Sequence, residues 1–247
     1  MKYFISEFKY VFNELLHNEE VQDEFYDDIK TNGYCVIKDF LTKDQCETYR
    51  QLIDDGIEKY ESVADDEKSD YRIFGIDRLI PEIRNVFARP VLEGLYKKYV
   101  DRNQLNSFIM ANRVTPKPGN LGSGGGWHRD SINRRQLKFI VYLSDVGSVN
   151  GNFQYMPKSH RVWDKLGQNR SLKKGLSEYR YSQEDIDTLV KNGNRVDELT
   201  GSQGTLIVAD TSGIHRGKPI VEGVRYAMTN YMFDHKIPVH IENLLLK

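Results

Sequence analysis

The sequence predicts an α+β protein with a mainly β core. From residue 107 onward, short apolar runs alternate with Gly/Pro-rich turns, the pattern of a sandwich or barrel. Apolar residues at helical spacing are concentrated before that point. Strands and helices do not alternate as a parallel βαβ sheet would require. One domain over residues 1–247 is expected, with a mainly helical layer over 1–105, a β core over 106–235 and an insert at about 160–203.

Residues 3–30 carry Phe4, Phe8, Val11, Phe12, Leu15, Leu16, Val21, Phe25 and Ile29 at helical spacing, and Asn32-Gly33 ends the pattern. Residues 33–40 read as a strand. Thr42 caps the next helix, with Gln45 in the capping-box position, and the helix runs to about Tyr60. Residues 61–70 read as a polar loop and 78–100 as mostly helical, with starts or bends at Pro81 and Pro90. Strands are expected over 107–115, 137–143, 153–156, 204–210 and 226–233. Residues 116–126, rich in Gly and Pro, cannot hold regular structure. The insert contains Arg161, Trp163, Arg170, Tyr179, Arg180 and Tyr181 and a helix over 183–191. An excursion of that length suits a lid or binding loop.

The bulk numbers exclude several classes. With 247 residues, 39% hydrophobic and 29% charged, the chain is an ordinary globular composition. No apolar run is long enough to span a bilayer, and acidic Glu7 comes too early for a signal peptide. Cys35 and Cys46 are too few for a disulfide framework, so a cytoplasmic location is expected. The net charge of −1 hides an asymmetry. Residues 1–70 hold 19 acidic and 8 basic side chains, leaving 17 acidic and 27 basic in the rest. That pattern fits a solvated acidic layer, or a cationic cleft for an anionic ligand. A nucleic-acid partner is not expected at a pI of 6.6.

Chemistry concentrates in Gly124-Gly125-Gly126-Trp127-His128-Arg129-Asp130-Ser131 and in the distant His215. In an extended segment residues i and i+2 share a face, so His128 and Asp130 point one way and Arg129 and Ser131 the other. Two imidazoles and one carboxylate suit a non-haem ferrous site with open positions. Arg225 follows His215 by ten residues, and a turn at Glu222-Gly223 makes the two plausible neighbours on adjacent strands. Its guanidinium fork suits a carboxylate, as in 2-oxoglutarate-driven oxygen activation.

The chain resembles the phytanoyl-CoA dioxygenase family of Fe(II)/2-oxoglutarate oxygenases. The likeness rests on four pieces in order: residues 33–41 with the helix after them, Trp127-His128-Arg129-Asp130, residues 150–161 (Asn-Gly-Asn-Phe-Gln-Tyr-Met-Pro-Lys-Ser-His-Arg), and His215-Arg216-Gly217 with Arg225. It implies a double-stranded β-helix, a cupin-like jelly roll, with the N-terminal helices packed on one sheet. It implies that His128, Asp130 and His215 ligate Fe(II) and that Arg225 binds the distal carboxylate of 2-oxoglutarate. Asn112, Ser131 and Lys138 would touch the cosubstrate. Lys158 stands where the family carries glycine. An aspartate at position 130, where related halogenases carry a small residue, favours hydroxylation of a small molecule with O2. The substrate residues expected are Arg129, Gln154, Arg161 and Arg216, for an anionic sugar, nucleotide-linked, acyl or secondary-metabolite compound. A cupin-like binding protein or isomerase that does not use 2-oxoglutarate is the alternative, and Arg225 discriminates between the two. His160 and Trp127 are expected to be structural, and His17, His235 and His240 to lie at the surface.

Overall fold

The computed structural model describes residues 24–60, 62–101, 106–132, 134–175 and 177–246. The expected helix over 3–30 therefore lies largely outside the described residues, as does His17. Its described part is α1 (Glu24–Asn32), which ends at Gly33. After β1 (Tyr34–Ile37), α2 (Lys43–Lys59) opens with the capping box read from the sequence. Gln45 N–H donates to Thr42 Oγ1, and Thr42 N–H donates back to Gln45 Oε1.

The polar stretch 61–70 is where the expectation fails most. It contains β2 (Val63–Ala64) and leads into β3 (Asp70–Phe74). There follow α3 (Ile76–Leu79), a 3-10 turn at Pro81–Val86, and α4 (Pro90–Val100), with both prolines in the first turn where a missing N–H costs nothing. The core strands are β4 (Asn106–Val114), β5 (Leu137–Tyr142), β6 (Phe153–Tyr155), β8 (Leu206–Asp210), β9 (His215–Gly217) and β10 (Arg225–Phe233). The insert supplies α5 (Val162–Ser171), α6 (Gln183–Lys191) and β7 (Asp197–Leu199). A short α7 (Val239–Glu242) ends the chain's described part.

Two antiparallel sheets form a double-stranded β-helix. The large sheet runs β1-β8-β5-β10-β4-β3-β2 and the small one β7-β6-β9. Period-two alternation sorts their side chains. On β5, Leu137, Phe139 and Val141 join the core beneath α1, α2 and α4, while Ile140 and Tyr142 face the small sheet. The helices thus cover one face of the large sheet, as expected. The expected β9–β10 hairpin does not form. β9 pairs with β6 in the small sheet, and β10 lies between β4 and β5 in the large one. His215 and Arg225 consequently face each other from opposite sheets.

Candidate metal centre

His128 and His215 are joined by a reciprocal backbone pair, each amide donating to the other's carbonyl at 2.9 Å. Asp130 N–H donates to Thr211 O at 2.9 Å, which runs the 128–130 segment alongside residues 211–215, the turn that leads from β8 into β9. Alternation then turns His128 and Asp130 to the interior. His128 Nε2 lies 3.5 Å from Asp130 Oδ1, and His215 Nε2 lies 3.5 Å from Asp130 Oδ2. One ligand atom from each residue falls within 4.8 Å of the others.

This donor set fits a divalent first-row ion. Nδ1 of His128 sits 2.8 Å from Gly126 O and Nδ1 of His215 sits 3.0 Å from Gly213 O. Protonated Nδ1 atoms donating to those carbonyls leave both Nε2 lone pairs free toward the common centre. Burial, reinforced by His128, pushes the His215 imidazole down to about 3, so it stays neutral at physiological pH. Burial would raise the Asp130 carboxyl, but Lys138, His215 and His128 outweigh it and hold the group well below its usual range. His215 and Asp130 are thus deprotonated, the form in which each binds a metal.

The triad opens onto a cavity of about 670 Å3. Its large-sheet wall is a grid fixed by register. Arg72, Asn112, Ala227 and Tyr142 lie side by side across β3, β4, β10 and β5, and Phe74, Met110, Thr229 and Ile140 form the next row. Arg225 enters from the start of β10. It is buried, one amino group donates to Gly151 O, and its Nε has no hydrogen-bond partner. Burial pushes this guanidinium below its usual value, with nearby Asp70 opposing. A desolvated fork with an unmet donor fits a ligand carboxylate.

The other sequence-selected residues divide. Asn112 lines the cavity but donates to Asp70 Oδ1 at 2.8 Å. Lys138 Nζ lies 2.5 Å from Asp130 Oδ2. Ser131 accepts from Arg134 N–H and shapes a turn. Arg129 lies beside His128 in sequence, so its side chain takes the opposite direction. It is buried and bonds Tyr181 Oη, Ser159 O, Ser212 O and Gln168 Oε1, tying the insert to the core. Gln154 and Arg216 are cross-strand neighbours on the outer face of the small sheet, bonded to each other at 2.7 Å. Arg161 precedes α5 and donates to Thr31 O at 2.8 Å. Gln154, Arg161 and Arg216 do not line the cavity among the described residues. His160 is buried, Trp127 packs with Met156, Tyr181 and Ile214, and His240 is exposed, each as expected. His235 is only partly exposed and pairs with Asp234.

Two cavity residues, Arg72 and Phe74, escaped the sequence reading because β3 did. Arg72 projects inward and bonds Asp70 Oδ2 through Nε and Nη2, at 2.8 and 2.7 Å. The alternation in Asp70-Tyr71-Arg72-Ile73-Phe74 was the available signal. The insert also contributes. Arg180 bridges to His128 and donates to Gly124 O and Gly125 O, clamping the glycine loop, and Tyr179 reaches the cavity rim.

Solved structures share this architecture. The non-heme alpha ketoglutarate dependent epimerase SnoN from nogalamycin biosynthesis, in complex with Fe3+, alpha ketoglutarate and nogalamycin RO, aligns with a TM-score of 0.66 and 14% identity, over 85% of this chain and 82% of that one. The carbocyclase SnoK from the same biosynthesis aligns at 0.62 and 17%, over 87% and 85%. HygX from Streptomyces hygroscopicus, with nickel and 2-oxoglutarate bound, aligns at 0.61 and 18%, over 86% and 87%. No curated protein matches by sequence. Fold and donor set together define an Fe(II)/2-oxoglutarate-dependent enzyme, a class whose cofactors are iron and 2-oxoglutarate. A family model described as Phytanoyl-CoA dioxygenase (PhyH) matches residues 29–220, and the chain belongs to that family.

Proposed function

We propose that the protein is a dioxygenase that hydroxylates a small molecule with O2 and 2-oxoglutarate. One observation carries the reading: the His128/Asp130/His215 triad and the open Arg225 fork line the same cavity. Bound iron with 2-oxoglutarate supplies oxygen activation coupled to decarboxylation to succinate and CO2. The chain's own groups bind, orient and shield. His128 and His215 present Nε2, Asp130 presents a carboxylate oxygen, and Arg225 pairs with the far carboxylate of the cosubstrate. Ile140, Tyr142 and Phe153 line the cavity. They exclude water from the reacting end.

Arg225 also separates this reading from a cupin-like isomerase, which has no use for a buried guanidinium with an unmet donor. Charge does not single out an anionic substrate. Arg72, Lys138 and Arg180 are engaged by protein partners, and Asp66 and Glu67 stand in the cavity lining. SnoN and SnoK are an epimerase and a carbocyclase on this fold, so product identity is part of the test.

The experiment is turnover of 2-oxoglutarate by iron-loaded protein, with sugars, nucleotide-linked compounds and acyl compounds screened for stimulation. Stimulated succinate release with a product carrying one added oxygen atom supports hydroxylation. A stimulated reaction whose product has no added oxygen contradicts it. Absence of 2-oxoglutarate consumption across the panel contradicts the oxygenase reading.

A further inference from the structure

Asp130 offers a metal two oxygens, and both stand 3.5 Å from an imidazole Nε2. A carboxylate so placed binds a cation through one oxygen or both. Two-oxygen binding would take one of the positions that a chelating keto acid needs. The chain resolves this from across the barrel. Lys138 belongs to β5 of the large sheet, whereas all three triad residues lie on β9 or on the segment paired with it. Its ammonium reaches 2.5 Å from Asp130 Oδ2, and its side chain is 9% exposed. Tyr231, opposite Lys138 in the β5–β10 register, covers it with its ring, 4.2 Å from Nζ to the centroid.

We propose that Lys138 is a positioning residue that holds Asp130 Oδ2 and confines Asp130 to metal ligation through Oδ1 alone, keeping a coordination position open for the keto acid. The proposal rests on the metal-centre reading and adds to it. A buried ammonium beside a divalent cation repels it. Lys138 therefore weakens metal binding while securing the open position. A residue that merely supports the fold does not produce those opposite effects.

The test uses the full chain, Mn(II) and oxalate. Oxalate chelates a metal through two oxygens but lacks the distal carboxylate that Arg225 would hold. Mn(II) is titrated into metal-free protein by calorimetry, and oxalate into the Mn(II)-loaded form. Lys138→Met is expected to bind Mn(II) about 3- to 10-fold more tightly, because the repelling charge is gone, and oxalate at least about 10-fold more weakly, because Asp130 is no longer oriented. Lys138→Arg, which keeps a donor to Oδ2, is expected to retain oxalate affinity within about threefold. Arg225→Met is expected to leave oxalate affinity unchanged. Weaker Mn(II) binding by Lys138→Met, as a damaged fold would give, overturns the proposal. So does unchanged oxalate affinity, and so does oxalate loss with unchanged Mn(II) affinity, the outcome if Lys138 touches the chelator directly. Wild-type protein that binds no Mn(II) removes the metal centre itself and the proposal with it.

Discussion

The backbones of His128 and His215, 87 positions apart in sequence, donate to one another at 2.9 Å in both directions. The two imidazoles are therefore placed by sheet-type hydrogen bonding rather than by the metal. Their Nδ1 contacts to Gly126 O and Gly213 O fix ring orientation as well.

The glycine loop before His128 follows from this placement. Gly124 has φ +90°, and a methyl group there would run into the His128 ring. Gly124→Ala is expected to weaken Mn(II) or Fe(II) binding about 10- to 100-fold, the range for loss of groups that orient metal ligands. Calorimetric titration checks it, and unchanged affinity would show that the loop does not set the ring.

Arg225 is expected to govern cosubstrate and not metal. Arg225→Met should raise the KM for 2-oxoglutarate about 10- to 100-fold, matching roughly 1.5–3 kcal/mol for hydrogen bonds to a charged group. Lysine at this position should not restore it, because the fork is lost. Mn(II) affinity measured beside KM should stay at the wild-type value; a parallel fall in both would assign Arg225 a structural part.

Lys158 has φ +67°, in the left-handed region that favours glycine. A side chain in the left-handed region costs about 1–2 kcal/mol, partly offset by the greater freedom glycine gains on unfolding. Lys158→Gly is expected to stabilise the protein by about 0.5–1 kcal/mol in denaturant titrations. Destabilisation would mean that the lysine side chain contributes more than its backbone strain removes.

His160 gives an acid-sensitive element away from the metal. Burial pushes its imidazole down to about 4, against an ordinary value of 6.5, while Asp210 opposes. The unfolded chain therefore binds the extra proton between those values. Stability is complete above pH 6.5, falls as the pH drops toward 4, and changes no further from this group below that. The span is worth at most about 3 kcal/mol. His160→Gln should flatten the dependence of unfolding free energy on pH between 6.5 and 4 relative to wild type. An unchanged slope would place the acid sensitivity elsewhere.

Much of the centre was legible because it depends on local periodicity. His128-x-Asp130 in an extended run puts both ligands on one face, and the same rule sends Arg129 away. The Thr42/Gln45 capping box and the proline-led α4 were readable for similar reasons. What escaped depends on sheet pairing. Strand β3 sits at the end of a polar loop, so Arg72 went unseen. The apparent hairpin between residues 215 and 225 proved to be a crossing between sheets, which a local turn signal cannot reveal. Helix α5 buries Lys165, Gln168 and Asn169, so its inward face carries no apolar stripe to read. Gln154 and Arg216 were misdirected for want of a register, which alone says which face of β6 and β9 looks inward.

The most direct measurement is the iron content of metal-free protein after anaerobic dialysis against Fe(II), for wild type and for Asp130→Ala and His215→Ala. The account predicts one iron per wild-type chain and at least about a 100-fold loss of affinity in each variant. Wild-type protein that takes up no iron, or variants that bind it as the wild type does, would contradict it.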